Sequence, residues 1–109
     1  MDKSAIAKGV ELILDGLELD RNSEGLKDTA ARVADFYSDF FAGLKEDPKA
    51  SLKLYHAENR DELIIARDIS FFSICEHHLL PFFGRVHLAY IPENDTITGF
   101  ARLVRVVEL

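Results

Sequence analysis

Hydrophobic residues follow two different spacings along the chain. Between residues 6 and 17, apolar side chains recur every three or four positions, which is typical of one face of an α-helix. These residues are Ile6, Val10, Ile13, Leu14 and Leu17. The pair Asp15 and Gly16, followed by the polar stretch "DRNSEG", predicts that the helix ends there and that a turn follows.

A second helix is predicted to begin near Thr29, which would serve as its N-cap, and to end at Gly43. Its apolar stripe consists of Val33, Phe36, Tyr37, Phe40 and Phe41. Aromatic residues at helical spacing pack against another element far more often than they contact a cofactor. We therefore expect this stripe to lie in the core.

The second half of the chain has the pattern of strands. The stretch "ELIIARDI" at 62–69 is rich in apolar and β-branched residues, and "GRVHLAYIP" at 84–92 alternates between two faces. One face carries Val86, Leu88 and Tyr90, and the other carries Arg85, His87 and Ala89. We predict an antiparallel pair joined by residues 70–83, and a helix after Gly99.

Together these patterns predict the α+β class. Residues 1–58 form an N-terminal helical region, and residues 59–109 contain the strands and the start of a further helix. No internal repeat or low-complexity linker separates them. The change near residue 58 therefore indicates a change of structure within one domain.

Composition narrows the possible partners and compartment. The 109 residues are 48% hydrophobic, with a net charge of −6 and an isoelectric point near 5.1. This acidic balance argues against a surface for nucleic acid or an anionic membrane. No apolar run approaches the roughly 20 residues of a membrane span, and a single cysteine suits a reducing cytoplasm. We therefore expect a cytoplasmic protein.

The chemistry is concentrated in "SICEHHLL", residues 73–80. Cys75 and His78 form a C-x-x-H pair, and a loop can bring a thiolate and an imidazole onto one zinc ion at about 2.3 and 2.0 Å. His77 would then be free to move protons near neutral pH. The spacing leaves two alternatives open: a buried free cysteine beside hydrogen-bonded histidines, or a nucleophilic Cys75 activated by a histidine.

The remaining histidines lack such neighbours. His56 and His87 are predicted at surface or strand positions without a catalytic role.

Three separated motifs resemble the GTP cyclohydrolase I family. "SICEHHLLPFFGRVHLAYIP" resembles its zinc-binding signature, and "GFARLVRVVEL" is similar to its segment G-[LF]-S-K-x-x-R-[IV]-V. "EGLKDTAARVADFYSDFFAGL" is similar to its stretch G-L-x-x-T-P-x-R-[VI]-A, with Ala30 in place of proline. The motifs occur in the family's order, and the resemblance extends from about residue 5 to the last residue.

The resemblance implies a role for each matching residue. Cys75 and His78 would be zinc ligands, His77 a proton donor and acceptor, and Arg102 and Arg105 the residues that meet the triphosphate of GTP. The family opens the imidazole ring of GTP with zinc-activated water, releases formate and forms 7,8-dihydroneopterin triphosphate. Glu76 matches a signature position, and no role is assigned to it beyond a hydrogen bond to a metal ligand.

Without the resemblance, the simpler interpretation of Arg102 and Arg105 is that they lie with Glu108 on a solvent-exposed face of the helix and bind no ligand.

Two departures from the family pattern limit what this chain is expected to do. Ala101 stands where the family has a serine, so one hydroxyl near the substrate is missing. Three further functional residues of the family would align after residue 109. They are the third zinc ligand, the second catalytic histidine and the glutamate that anchors the purine. We therefore expect these residues to be the N-terminal half of the enzyme, inactive by themselves.

The resemblance also implies the tunnelling fold, an antiparallel sheet with helices on one face, assembled into homo-oligomeric rings that are usually decamers. Two other functions stay open. One is a catalytically inert relative that binds a nucleotide or pterin. The other is a different tunnelling-fold enzyme, such as the nitrile reductase of the queuosine pathway, which lacks the C-E-H-H signature.

Overall fold

The computed structural model describes residues 1–58 and 62–109. By their contacts they form two compact units, residues 1–44 and residues 45–109. The first unit is helical, and the second combines helices with antiparallel strands, which confirms the α+β class. The predicted boundary after residue 58 meets residues 59–61, which lie outside the described residues, so it stays a prediction.

The first unit consists mainly of helices α1 (Lys3–Gly16) and α2 (Thr29–Phe40). The Asp2 carboxylate accepts a hydrogen bond from the Ala5 backbone N–H at 2.9 Å and so caps α1. The helix ends where the sequence predicts. The two helices pack together, and Leu14 and Ala34 are their buried residues.

The predicted start of α2 near Thr29 is confirmed, but its N-cap residue and its end need correction. Thr29 is the first helical residue, and Asp28 occupies the N-cap position without a side-chain capping bond. The helix ends at Phe40 instead of Gly43. The Leu44 N–H bonds to the Phe41 carbonyl at 3.2 Å, because the backbone tightens into a 3₁₀ turn before it reaches the glycine.

The aromatic stripe of α2 is not the core that its spacing predicts. Phe36 is 53% exposed, and the other members of the stripe are only half-buried. The rings contact one another, as in the pair Phe36 and Phe40 with centroids 5.4 Å apart. Helical spacing identifies the residues that share a face but does not show what covers that face.

The second unit contains two small antiparallel sheets. Strand β2 (Ile64–Ile74) pairs with β3 (Pro81–Tyr90), and β1 (Leu54–His56) pairs with β4 (Thr96–Thr98). The pairing of β2 with β3 confirms the predicted antiparallel pair. Strands β1 and β4 were not predicted, since three residues are too few to show an alternating pattern.

The faces of β3 are as predicted. Val86, Leu88 and Tyr90 are half-buried, while the residues between them are exposed. The Tyr90 hydroxyl accepts a hydrogen bond from the Thr98 N–H at 3.1 Å and lies 3.3 Å from the Thr98 carbonyl. This side chain therefore connects the two sheets.

The connection between β2 and β3 is shorter than the predicted segment 70–83. The ladder continues through Phe72 opposite Phe83 to Ile74 opposite Pro81, which leaves only residues 75–80 as the loop. Aromatic and β-branched side chains favour strand pairing, and proline is tolerated at the first residue of a strand. The cluster of candidate ligands therefore lies at the tip of a long hairpin.

Strand β2 also contains a bulge that the sequence did not predict. The register shifts between Ala66 and Ile69, and Asp68 has a φ of 61°. The Asp68 backbone N–H donates to His87 Nδ1 at 3.2 Å. His87 thus lies in a strand, as predicted, and supplies a partner for a backbone group that the bulge removes from the ladder.

The chain ends in α4 (Phe100–Glu108), the helix predicted after Gly99, and α4 packs against β2. Short helix α3 (Pro48–Ser51) also contacts α4. Among the described residues, no helix combines the length and apolar character needed to cross a membrane.

Candidate functional site

The hairpin loop at residues 75–80 is closed by its own backbone. The Cys75 N–H donates to the Leu80 carbonyl at 2.8 Å, and the Leu79 N–H donates to the Cys75 carbonyl at 2.8 Å. Leu79 has a φ of 55°, a left-handed conformation that a leucine rarely adopts. These bonds fold the loop back on itself and bring its polar side chains together.

Three of those side chains meet around one sulfur atom. Cys75 Sγ lies 3.7 Å from His77 Nδ1 and 3.7 Å from His78 Nδ1. The two imidazole rings have centroids 6.1 Å apart and planes inclined at 55°. The structure therefore brings together the predicted metal ligands and the predicted proton-transfer residue.

This arrangement fits the donor set of a zinc ion. A sulfur and a nitrogen bound tetrahedrally to one zinc, at about 2.3 and 2.0 Å, would lie about 3.6 Å apart. Both histidines satisfy this distance. The geometry accordingly suits metal binding but does not choose between His77 and His78, so the assignment of His78 as ligand stays a prediction.

The site is incomplete as a metal centre within residues 1–58 and 62–109. In that part of the chain, no group of three or more cysteine, histidine, aspartate or glutamate side chains is placed to hold a metal ion. A structural or catalytic zinc takes at least three protein ligands. Any zinc here would need further donors from another segment, another chain or water.

Glu76 lies on the outside of the same loop. Its side chain is 88% exposed, and Oε1 lies 3.8 Å from His77 Nε2. His77 is itself 74% exposed, which leaves Nε2 accessible to a ligand. Within the described residues, the Glu76 carboxylate therefore contacts the histidine that is predicted to move protons.

The predicted triphosphate residues lie on α4. Arg102 and Arg105 are three positions apart and both are exposed, so they are neighbours on the helix surface. The Arg102 guanidinium has no hydrogen bond or ion pair within the described residues, although its backbone N–H donates to the Gly99 carbonyl at 2.9 Å. Arg105 Nη2 contacts Glu46 Oε1 at 3.3 Å and Oε2 at 3.2 Å.

The contact between Glu46 and Arg105 was not predicted from the sequence, because 59 positions separate the two residues. No local spacing connects them. Without the family resemblance, both arginines were expected on a solvated helix face with Glu108. Both are exposed on α4, and Arg105 also contacts a carboxylate that precedes α3. Between the hairpin loop and the two arginines, the described residues form no hydrogen bond or ion pair.

Ala101 is exposed on the same helix. A methyl group there cannot donate or accept a hydrogen bond, so the structure offers no substitute for the hydroxyl at this position.

Comparisons with known proteins agree on one family. The family described as GTP cyclohydrolase I matches residues 6–109. GTP cyclohydrolase 1 of Carboxydothermus hydrogenoformans is 47% identical over 108 residues, covering 99% of this chain and 56% of the relative. The enzyme of the same name from Pelotomaculum thermopropionicum is 49% identical over 107 residues, covering 98% of this chain and 57% of the relative.

GTP cyclohydrolase 1 of Bacillus subtilis is 46% identical over 108 residues, covering 99% of this chain and 57% of the relative. The chain thus spans a little over half the length of the curated relatives it matches. With a match from residue 6 to residue 109, and with the three motifs in order, the chain belongs to the GTP cyclohydrolase I family.

Proposed function

We propose that the protein acts in the GTP cyclohydrolase I reaction, which hydrolyses and rearranges GTP to 7,8-dihydroneopterin triphosphate and formate, the first step of pterin and folate biosynthesis. The observation that carries the proposal is the approach of Cys75 Sγ to two imidazole nitrogens at 3.7 Å. Family membership supports the same function, since relatives carry the name GTP cyclohydrolase 1.

Cys75 and His78 are the residues that would hold a zinc ion. When bound, zinc acts as a Lewis acid and makes water a better nucleophile near neutral pH. The loop is suited to present these donors because its backbone bonds fix both ends of the segment. The remaining ligands would come from outside the described residues.

His77 is proposed to move the proton that ring opening requires. Its Nε2 is exposed on the outside of the loop, where it can donate to or accept from a purine nitrogen. Glu76 Oε1, at 3.8 Å from that nitrogen, can help to orient the ring. A carboxylate next to an accessible imidazole nitrogen is typical of a histidine used as a general acid or base.

Arg102 and Arg105 are proposed to bind the triphosphate. Guanidinium groups match phosphate oxygens in charge and in the geometry of their N–H donors. Arg102 has no competing acceptor in the described chain, and Arg105 retains unused donors. Both project from one exposed helix surface, which could meet a polyanion despite the acidic composition of the whole chain.

We further propose that the protein is a homo-oligomer, as the family resemblance implies. Phe72 and Phe83 form a cross-strand pair with ring centroids 6.2 Å apart, and their side chains are 74% and 79% exposed. Apolar surface of this kind favours contact with another protein surface. Light scattering after size-exclusion chromatography would determine the number of subunits.

The direct test is conversion of GTP by the complete gene product. Formation of the fluorescent oxidised pterin, with the mass of dihydroneopterin triphosphate and formate confirmed, would support the proposal. An inert relative would bind zinc or nucleotide without forming this product. An enzyme of the nitrile reductase type would leave GTP unchanged and would not need metal at Cys75.

A further inference from the structure

The ion pair between Arg105 and Glu46 uses only part of the arginine. Both carboxylate oxygens of Glu46 approach the same nitrogen, Nη2, at 3.3 and 3.2 Å. A guanidinium group carries five N–H donors, and three of them belong to Nη1 and Nε. Within residues 1–58 and 62–109, neither of these two nitrogens has a hydrogen-bond partner. The ion pair therefore involves only Nη2 of the guanidinium and leaves most of its N–H donors available.

The two residues of this ion pair are restrained by different local structure. Arg105 lies in the second half of α4, on a long side chain with many rotamers, and its side chain is 47% exposed. Glu46 directly precedes Asp47, which caps α3 by accepting a hydrogen bond from the Lys49 N–H at 2.9 Å. A capped helix start with Pro48 at its first position restricts the backbone next to Glu46.

We infer that Glu46 is a positioning residue for Arg105: it holds the guanidinium so that Nη1 and Nε face the triphosphate of GTP. This inference rests on the proposed function. Arginine loses side-chain entropy when it binds a ligand, and a carboxylate that restrains it beforehand reduces that loss. The same carboxylate offsets the repulsion between Arg105 and Arg102 while no ligand is present.

A competing hypothesis is that Glu46 inhibits GTP binding by occupying Arg105. If Glu46 merely occupied Arg105 in place of phosphate, any removal of its negative charge would strengthen GTP binding. Glu46→Gln and Glu46→Ala both remove the charge, but only glutamine keeps an oxygen that can accept from Nη2. Comparison of the two variants therefore isolates positioning from charge.

The experiment uses the complete gene product, with two readouts. The dissociation constants for GTP and guanosine are measured by calorimetry on zinc-depleted protein, and kcat and KM for GTP are measured on zinc-loaded protein. We expect Glu46→Ala to bind GTP about threefold more weakly than Glu46→Gln, the effect of one exposed hydrogen bond. KM should change by the same factor, with kcat and guanosine binding unchanged.

Two controls make the result specific. Glu108 carries the same charge on α4 but, within the described residues, forms no hydrogen bond or ion pair with Arg105, so Glu108→Gln and Glu108→Ala should not differ from each other. In an Arg105→Ala background, the difference between the two Glu46 variants should disappear, because the pair then lacks one partner.

Equal affinities of Glu46→Gln and Glu46→Ala for GTP, with a loss in Arg105→Ala, would overturn the inference and leave the proposed function standing. A protein that binds GTP no more tightly than guanosine would overturn both.

Discussion

The hairpin tip and helix α4 carry the two halves of the proposed chemistry, and they are built in different ways. Cys75, His77 and His78 are brought together by a loop whose two backbone bonds close it locally. Arg105 is held by Glu46, a residue 59 positions earlier. The first region depends on nearby sequence, whereas the second depends on the folded chain.

This difference has a consequence for mutations. Substitutions at the hairpin tip should each abolish either zinc binding or proton transfer, because each side chain there is proposed to have a separate function. Changes on α4 should weaken binding by degrees, since several charged groups share the work of holding a polyanion.

The largest effect is expected within the histidine pair. His77→Ser should leave zinc in place and reduce GTP turnover by about 10²-fold or more, the typical contribution of a general acid or base. His78→Ser should lose both zinc and turnover. Metal analysis and a fluorescence assay on the complete gene product check this, and the reverse pattern of zinc loss would exchange the two roles.

A smaller effect is expected on α4. Arg102→Ala and Arg105→Ala should each raise KM for GTP by about tenfold, because a hydrogen bond between charged groups contributes about 1.5 kcal/mol or more. Zinc content should not change. If either variant lost zinc instead, the separation between hairpin and helix would be wrong.

A still smaller effect is expected at position 101. Ala101→Ser would add the hydroxyl that the family pattern has, and one additional hydrogen bond contributes about 1 kcal/mol. We expect KM for GTP to fall by up to about fivefold. An unchanged KM would show that no substrate atom lies within reach of this position.

The smallest effect is expected in the first unit, which supplies none of these residues. Lys3 Nζ lies 2.8 Å from Asp35, and the hydrogen bond and charge of that carboxylate raise the pKa of Lys3 above its ordinary value of 10.5. The contribution of this pair to stability is therefore complete below pH 10.5 and lost as pH rises through the raised pKa. Lys3→Met should remove this alkaline component without changing zinc content or KM. Thermal unfolding between pH 8 and 12 measures it, and a loss on acidification instead would contradict the assignment.

The features predicted from sequence are those with local causes. Helices α1 and α4 and the pairing of β2 with β3 follow from regular spacing of apolar residues, and the ligand cluster follows from "CEHH" within one loop. Periodicity was enough in these cases because the partners are close along the chain.

The features that were missed or wrong depend on distant partners. The pairing of β1 with β4, the bulge at Asp68 and the contact of Glu46 with Arg105 join residues that no local pattern connects. The exposed Phe36 shows the same limit, since spacing defines a face without showing what covers it. The choice between His77 and His78 as ligand also stays a prediction, because both nitrogens lie equally far from the sulfur.

The most direct test of the account is the zinc content of Cys75→Ser in the complete gene product. A thiolate supplies charge and a strong ligand to zinc, whereas a serine hydroxyl stays protonated at pH 7. We predict about one zinc per subunit in the unaltered protein and almost none in the variant, with the helical signal in circular dichroism retained. Zinc retained at the original stoichiometry in Cys75→Ser would contradict the central claim.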